Sequence, residues 1–205
     1  MVKKIILTGF EPFSGSDTNP SILACNSFNG KIIDGYKIKT IEIPLRYKEI
    51  KERIERVFLE EKPDIIICTG QSPRSVISIE RIAINMASIE KSAYNCGEKP
   101  QDEILEKDGR DGYFSSLPLR QIKENLEKNK IPCEISNSAG TFGCNQIFYN
   151  LMHFINEKQI DILAGFIHVP SLPEQVIGKN MPSMSFEMIV QALEVIIKTT
   201  IDYSQ

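Results

Sequence analysis

The sequence predicts an α/β fold, a single-domain sandwich in which a twisted, largely parallel sheet carries helices on both faces. Segments with strand character and segments with helical periodicity alternate from one end of the chain to the other, the pattern of α/β proteins. The strand segments are compact apolar runs, as expected for strands covered on both sides. A chain of 205 residues can bury about 70% of the surface it exposes when unfolded, so one core needs neither metal nor disulfide.

Residues 3–8 are β-rich and stop at Gly9, which predicts a buried first strand leading into a loop. The loop GFEPFSGSDTNP (residues 9–20) is dense in turn formers yet holds Phe10 and Phe13. Asn19 or Ser21 suits the cap of a following helix, with Pro20 in its first turn. Residues 36–43 read as a second strand. Over residues 46–61, Ile50, Ile54, Val57 and Phe58 form one helical stripe. Pro63 closes that helix, residues 64–69 form a strand stopped by Gly70, and residues 76–85 read as one further strand. Residues 91–112, charged and glycine-bearing, predict a surface loop or flap. A helix is expected over 118–129, a strand over 133–137, a helix over 144–157, a strand over 160–169 and a last helix over 183–201.

The formal net charge is −3 with dispersed positive charges, which leaves no footprint for nucleic acid or an anionic membrane. No stretch approaches the ~20 apolar residues of a membrane span. The N-terminal MVKKIILTGF has neither the apolar length nor the cleavage site of a signal peptide, so a cytoplasmic location is expected. The five cysteines, Cys25, Cys68, Cys96, Cys133 and Cys144, match no zinc or redox spacing.

Cys144 lies in SNSAGTFGCN (residues 136–145), where small residues and glycines lead from a strand into a long helix. In the first turn of that helix, the dipole and free N–H groups favour a thiolate and offer donors to an oxyanion. Of the two histidines, His153 falls about 13 Å along the same helix, beyond reach of the thiol. His168 closes the apolar strand GFIHVP at the sheet end where α/β active sites lie. Glu80 interrupts SVISIERIAIN, and alternation puts it on the face of Val76, Ile82 and Ile84. A core-facing carboxylate needs a partner. Neighbouring Arg81 points to the opposite face, so His168 is the economical choice, with Asp64 as a rival acid. A thiol at a helix N-terminus, a histidine at a strand end and a buried acid make a cysteine hydrolase a possible reading.

Five segments together resemble the pyroglutamyl peptidase I family: TGFEPFSGSDTNPS (8–21), VISIERIAIN (76–85), YFSSLPL (113–119), SNSAGTFGCNQIFY (136–149) and GFIHVPSLPEQV (165–176). They occur in the family's order across nearly the whole chain. The resemblance implies Glu80, Cys144 and His168 as acid, nucleophile and base, acting on peptides with an N-terminal pyroglutamate and needing no cofactor. It further implies walls for the lactam ring from Phe10, Phe13 and Phe142, polar partners in Asn19 and the backbone around Gln71, and a homotetramer. One stretch departs from the family pattern. SIEKSAYN (88–95) puts Glu90 where the family has an arginine, with Lys91 beside it. Two alternatives therefore stay open: a related thiol hydrolase for another small acyl amide, and a non-catalytic binding protein on the same fold.

Overall fold

The computed structural model describes residues 2–90 and 93–205. Its strands are β1 (Lys3–Phe10), β2 (Ile32–Ile33), β3 (Tyr36–Ile43), β4 (Ile65–Gln71), β5 (Ile77–Glu80), β6 (Ile82–Ile84), β7 (Gly112–Phe114), β8 (Cys133–Ser136) and β9 (Leu163–Val169). The helices are α1 (Pro20–Asn26), α2 (Glu49–Glu61), α3 (Leu119–Lys128), α4 (Gly143–Glu157) and α5 (Phe186–Tyr203). Seven strands form one sheet in the order β2-β3-β1-β4-β9-β5-β8. The β3-β1, β1-β4, β4-β9 and β5-β8 pairs are parallel, whereas β5 runs antiparallel to β9 and β2 to β3.

Two apolar layers flank the sheet, as expected for central strands buried on both faces. On one side Ile5, Leu7, Ile65, Ile67, Ile77, Ile79, Ile167 and Val169 pack against α1, α3 and α5. On the other, Ile6, Ile66, Cys68, Ala164 and Phe166 pack against α2 and α4. Alternation along β9 orients the histidine. Ile167 and Val169 face the first layer, so His168 faces α4 beside Phe166.

Local chemistry explains the helix ends. The Asn19 side chain accepts the Ser21 N–H and Pro20 opens α1. Ile50, Ile54 and Val57 bury one stripe of α2, which ends where Lys62 turns into the left-handed region (φ 47°). Ser185 caps α5 through the Met188 N–H.

One expected element differs in kind. The run 76–85 is two strands in two sheets, broken at Arg81. Beyond Glu80 the chain leaves the central sheet and pairs with β7, and Asn145 on α4 supplies the missing bonds. Its side chain accepts the Ile84 N–H and donates to the Ile84 and Met86 carbonyls. Ile82 and Ile84 therefore do not line the face that buries Glu80, Ile84 is exposed, and Val76 lies in the bend before β5. The short β2 and β7 and the 3₁₀ turn Pro173–Val176 carry too few residues to show a period. Residues 93–112 of the expected flap are tethered rather than free. Ala87 bridges Glu103, Tyr94 is buried, and the Asn85 side chain binds the backbone of Glu106.

Candidate active site

Glu80 ends β5 and is fully buried; in register it pairs with Phe166 on β9 and Ser136 on β8. Its Oε1 lies 2.7 Å from His168 Nδ1. His168 is itself 4% exposed and packs edge-on against Phe166, with ring centroids 4.9 Å apart. The buried carboxylate is thus paired across two adjacent strands, as its environment requires. Among the described residues Glu80 Oε2 has no hydrogen-bond partner, and the carboxylate is held through Oε1.

Cys144 sits in the first turn of α4, whose N-terminus has no side-chain cap. The backbone N–H groups there are oriented for a developing negative charge. Gly70 places the sulfur over the sheet: a Cβ added at Gly70 would lie 2.7 Å from Cys144 Sγ, 2.8 Å from Phe166 Cζ and 3.5 Å from Phe10 Cδ2. Gly70 is also the register partner of His168. Parallel partners point to one face with strands about 4.8 Å apart, so thiol and imidazole occupy adjoining positions above the same two strands. Gly143 matters similarly, because a Cβ there would collide with Leu45 Cδ1. We expect Gly70→Ala to cost about 1–3 kcal/mol of stability through this overpacking and to displace the sulfur; chemical denaturation checks the first effect. A Gly70→Ala chain of unchanged stability would show that the sulfur is not packed against this strand.

Burial pushes the Cys144 thiol up to about 12; the Glu80 charge and Cys68 add to the rise, while its own backbone N–H and the Arg74 guanidinium oppose it. This reverses the sequence expectation of a lowered thiol pKa. The residue is half-buried at the α4 terminus, and packing beside Gly70 removes the thiol from water, which disfavours its charged form. Alkylation of Cys144 by iodoacetamide is therefore expected to keep accelerating from pH 8 to 10. A plateau below pH 8 would instead show a pre-ionised thiolate.

The ring-wall residues fall into two groups. Phe13 and Phe142 meet edge-to-face at 6.3 Å, and Phe142 continues onto Tyr94 at 4.7 Å and from there to Tyr47 at 5.3 Å. Phe10 is 2% exposed, with its Cδ2 3.5 Å from where a Cβ on Gly70 would lie, so it packs into the core beside Gly70 rather than walling an open pocket. Asn19 is a correction: its side chain caps α1 and donates to the Glu11 carbonyl, leaving 1% of the residue exposed. It holds the loop, and its burial places it behind the site rather than on an open wall. Glu11 reinforces the loop by accepting the Leu45 N–H and the Asn95 amide. Gln71 donates to Ser171 Oγ and Gln175 Oε1 on the rim of a cleft of about 570 Å³, which Phe13, Ser16, Glu174 and Lys179 also line.

The other nominees fall elsewhere. Asp64 accepts the Lys4 N–H at the opposite end of β4 from Gln71, which removes it as an acid. His153 bonds Tyr113 and stacks on Tyr149, a structural role. Glu90 is exposed, and Lys91 lies outside the described residues. Ser88 and Thr141 exchange two hydrogen bonds, which ties that segment to the loop before Cys144. The sequence reading missed Arg74, which donates to Glu80 Oε1 at 2.9 Å. A buried carboxylate calls for a cation, but residue 74 lies among the bends between β4 and β5, where no strand period points to it. Among the described residues, no group of three or more His, Cys, Asp or Glu is placed to hold a metal ion, and no helix is long and apolar enough to cross a membrane.

Comparison with known proteins adds the context. Residues 3–203 match the sequence model of a family described as pyroglutamyl peptidase. The pyrrolidone-carboxylate peptidase of Brachyspira hyodysenteriae is 45% identical over 202 residues, covering 97% of this chain and 98% of that one. Its counterpart from Thermosipho africanus is 45% identical, covering 95% of each. Among solved structures, a mutant pyrrolidone carboxyl peptidase from Pyrococcus furiosus superposes with a TM-score of 0.94 at 37% identity, covering 98% of this chain and 99% of that one. The pyroglutamyl peptidase I of Bacillus amyloliquefaciens gives 0.93 at 37% identity, covering 98% and 95%.

Proposed function

This chain belongs to the pyroglutamyl peptidase family, and from that membership we propose that it hydrolyses the amide bond after an N-terminal pyroglutamyl residue with Cys144, His168 and Glu80 as its machinery. The observation that carries the residue assignment is the 2.7 Å Glu80–His168 bond on the sheet face over which the Cys144 sulfur is packed.

The placement of these groups dictates the chemistry. Ionised Glu80 accepts the Nδ1–H of His168, which leaves Nε2 as the acceptor for the Cys144 proton. Because burial keeps the thiol protonated, the proton passes to Nε2 as Sγ attacks the pyroglutamyl carbonyl. The N–H groups of the first turn of α4 receive the oxyanion. The imidazolium then returns the proton to the leaving amine, and the C–N bond breaks to a thioester. Water, deprotonated by Nε2, adds to the thioester; Sγ leaves with the proton, and free pyroglutamate departs.

The ring itself is compact and uncharged, with one N–H and one C=O. The edge-to-face pair of Phe13 and Phe142 supplies apolar contact, and the backbone at Gln71 supplies hydrogen bonds. A homotetramer is a reading that rests on the resemblance alone.

The purified protein, kept reduced, is expected to release the fluorophore from a pyroglutamyl 7-amido-4-methylcoumarin and to leave the corresponding prolyl amide intact. Equal turnover of both, or of neither, would count against the substrate assignment.

A further inference from the structure

We infer that Arg74 is a positioning residue of this reaction: its guanidinium holds the Glu80 carboxylate aimed at His168 and couples it to the loop that carries the nucleophile. The inference rests on the assignment of Glu80, Cys144 and His168 made above.

Arg74 lies between β4 and β5, one-third exposed at its side chain. One terminal nitrogen donates to Glu80 Oε1 at 2.9 Å, the same oxygen that His168 Nδ1 meets at 2.7 Å. The other donates to the Ser138 carbonyl at 2.9 Å. Ser138 belongs to the turn between β8 and α4, where its N–H bonds Ser136 Oγ and its side chain accepts the Gly140 N–H. One planar group therefore spans the acid and the turn that sets the start of α4, a geometry an ammonium cannot reproduce.

The need for it is electrostatic. Glu80 is fully buried and its Oε2 has no partner, so without a cation the carboxylate depends on His168 alone. A neutral Glu80 would no longer hold the imidazolium that forms as Cys144 gives up its proton. The charged or titratable groups facing this cluster are Arg74, Glu80, His168, Cys144 and Cys68, with Glu134 on β8 3.5 Å from the guanidinium. Arg74 is the permanent cation among them. Removing it makes the cluster bind a proton more readily, which moves the acid limb of kcat/KM to higher pH. Glu134 also accepts the Ser78 hydroxyl and is half-exposed.

The test compares wild type, Cys144→Ser, Arg74→Gln, Arg74→Lys and Arg74→Ala with added ethylguanidinium, each on the pyroglutamyl coumarin amide. Arg74→Gln is expected to lower kcat by about 10- to 100-fold with KM changed less than about threefold. Its acid limb should move up by about half a pH unit or more. Arg74→Lys should restore the wild-type limb but only part of the rate, since one ammonium cannot reach both acceptors. Ethylguanidinium should raise the rate of Arg74→Ala in a saturable way, a readout that a purely structural role would not give.

An Arg74→Gln enzyme with wild-type kcat and pH profile would overturn the inference. So would a loss confined to KM, which would make Arg74 a substrate contact. Should Arg74→Gln fail to fold, Arg74→Lys decides alone, and full wild-type activity there overturns the bridging role. An inactive wild type, or an active Cys144→Ser, would instead overturn the catalytic assignment itself, so the two failures are distinguishable.

Discussion

Cys144→Ser is expected to lower kcat for the pyroglutamyl amide by at least about 10³-fold. A serine hydroxyl is close in shape but a far weaker nucleophile at neutral pH, and here it would have to ionise in a site that already holds the thiol near 12. The fold should be unaffected, because the change neither opens a cavity nor adds volume beside Gly70 and Phe166. Steady-state kinetics with a matching unfolding curve checks both halves. Activity within tenfold of wild type would remove Cys144 from the nucleophile's role and leave the site without one.

His168→Ala carries the second large effect and, unlike the first, should also be felt in stability. The imidazole is the base in both half-reactions, so a loss of about 10³-fold or more in kcat is expected. Deleting it strips the shorter of two bonds from a carboxylate that is fully buried and has one oxygen unpartnered already. Leaving such a group short of a partner costs about 1–3 kcal/mol, visible as a lower denaturation midpoint. Unchanged stability would show that Glu80 takes up a proton or another partner. Retained activity would show that another group accepts the thiol proton.

Much of the fold was legible because central strands here are written as unbroken apolar runs. Residues 36–43 matched β3 at both ends, and α4 began one residue before its expected start. The failure at 76–85 has a specific cause. Local β-propensity is continuous through Ile77, Ile79, Ile82 and Ile84, and nothing local marks Arg81 as the point of departure. The break is made by Asn145, 61 positions away from Ile84 in sequence, whose side chain captures that strand's backbone. Asn19 was offered both as a helix cap and as a partner for substrate, and the structure shows it buried in the first role, its oxygen accepting from Ser21 and its amide tying down the Glu11 carbonyl.

Sequence alone determined the alternation of elements, the family resemblance, and Cys144, His168 and Glu80 as the residues with chemistry to offer. These are properties of local pattern: a period, a residue type at a strand or helix end, a charge where apolar residues surround it. Tertiary structure alone decided three things. Gly70 lets the sulfur rest on the sheet, burial raises the thiol against the pull of the α4 backbone N–H, and Arg74 shares the oxygen that His168 uses. Each depends on distances between segments that the chain brings together only by folding. A group's desolvation and its charged neighbours are sums over space, and a one-dimensional pattern does not contain them.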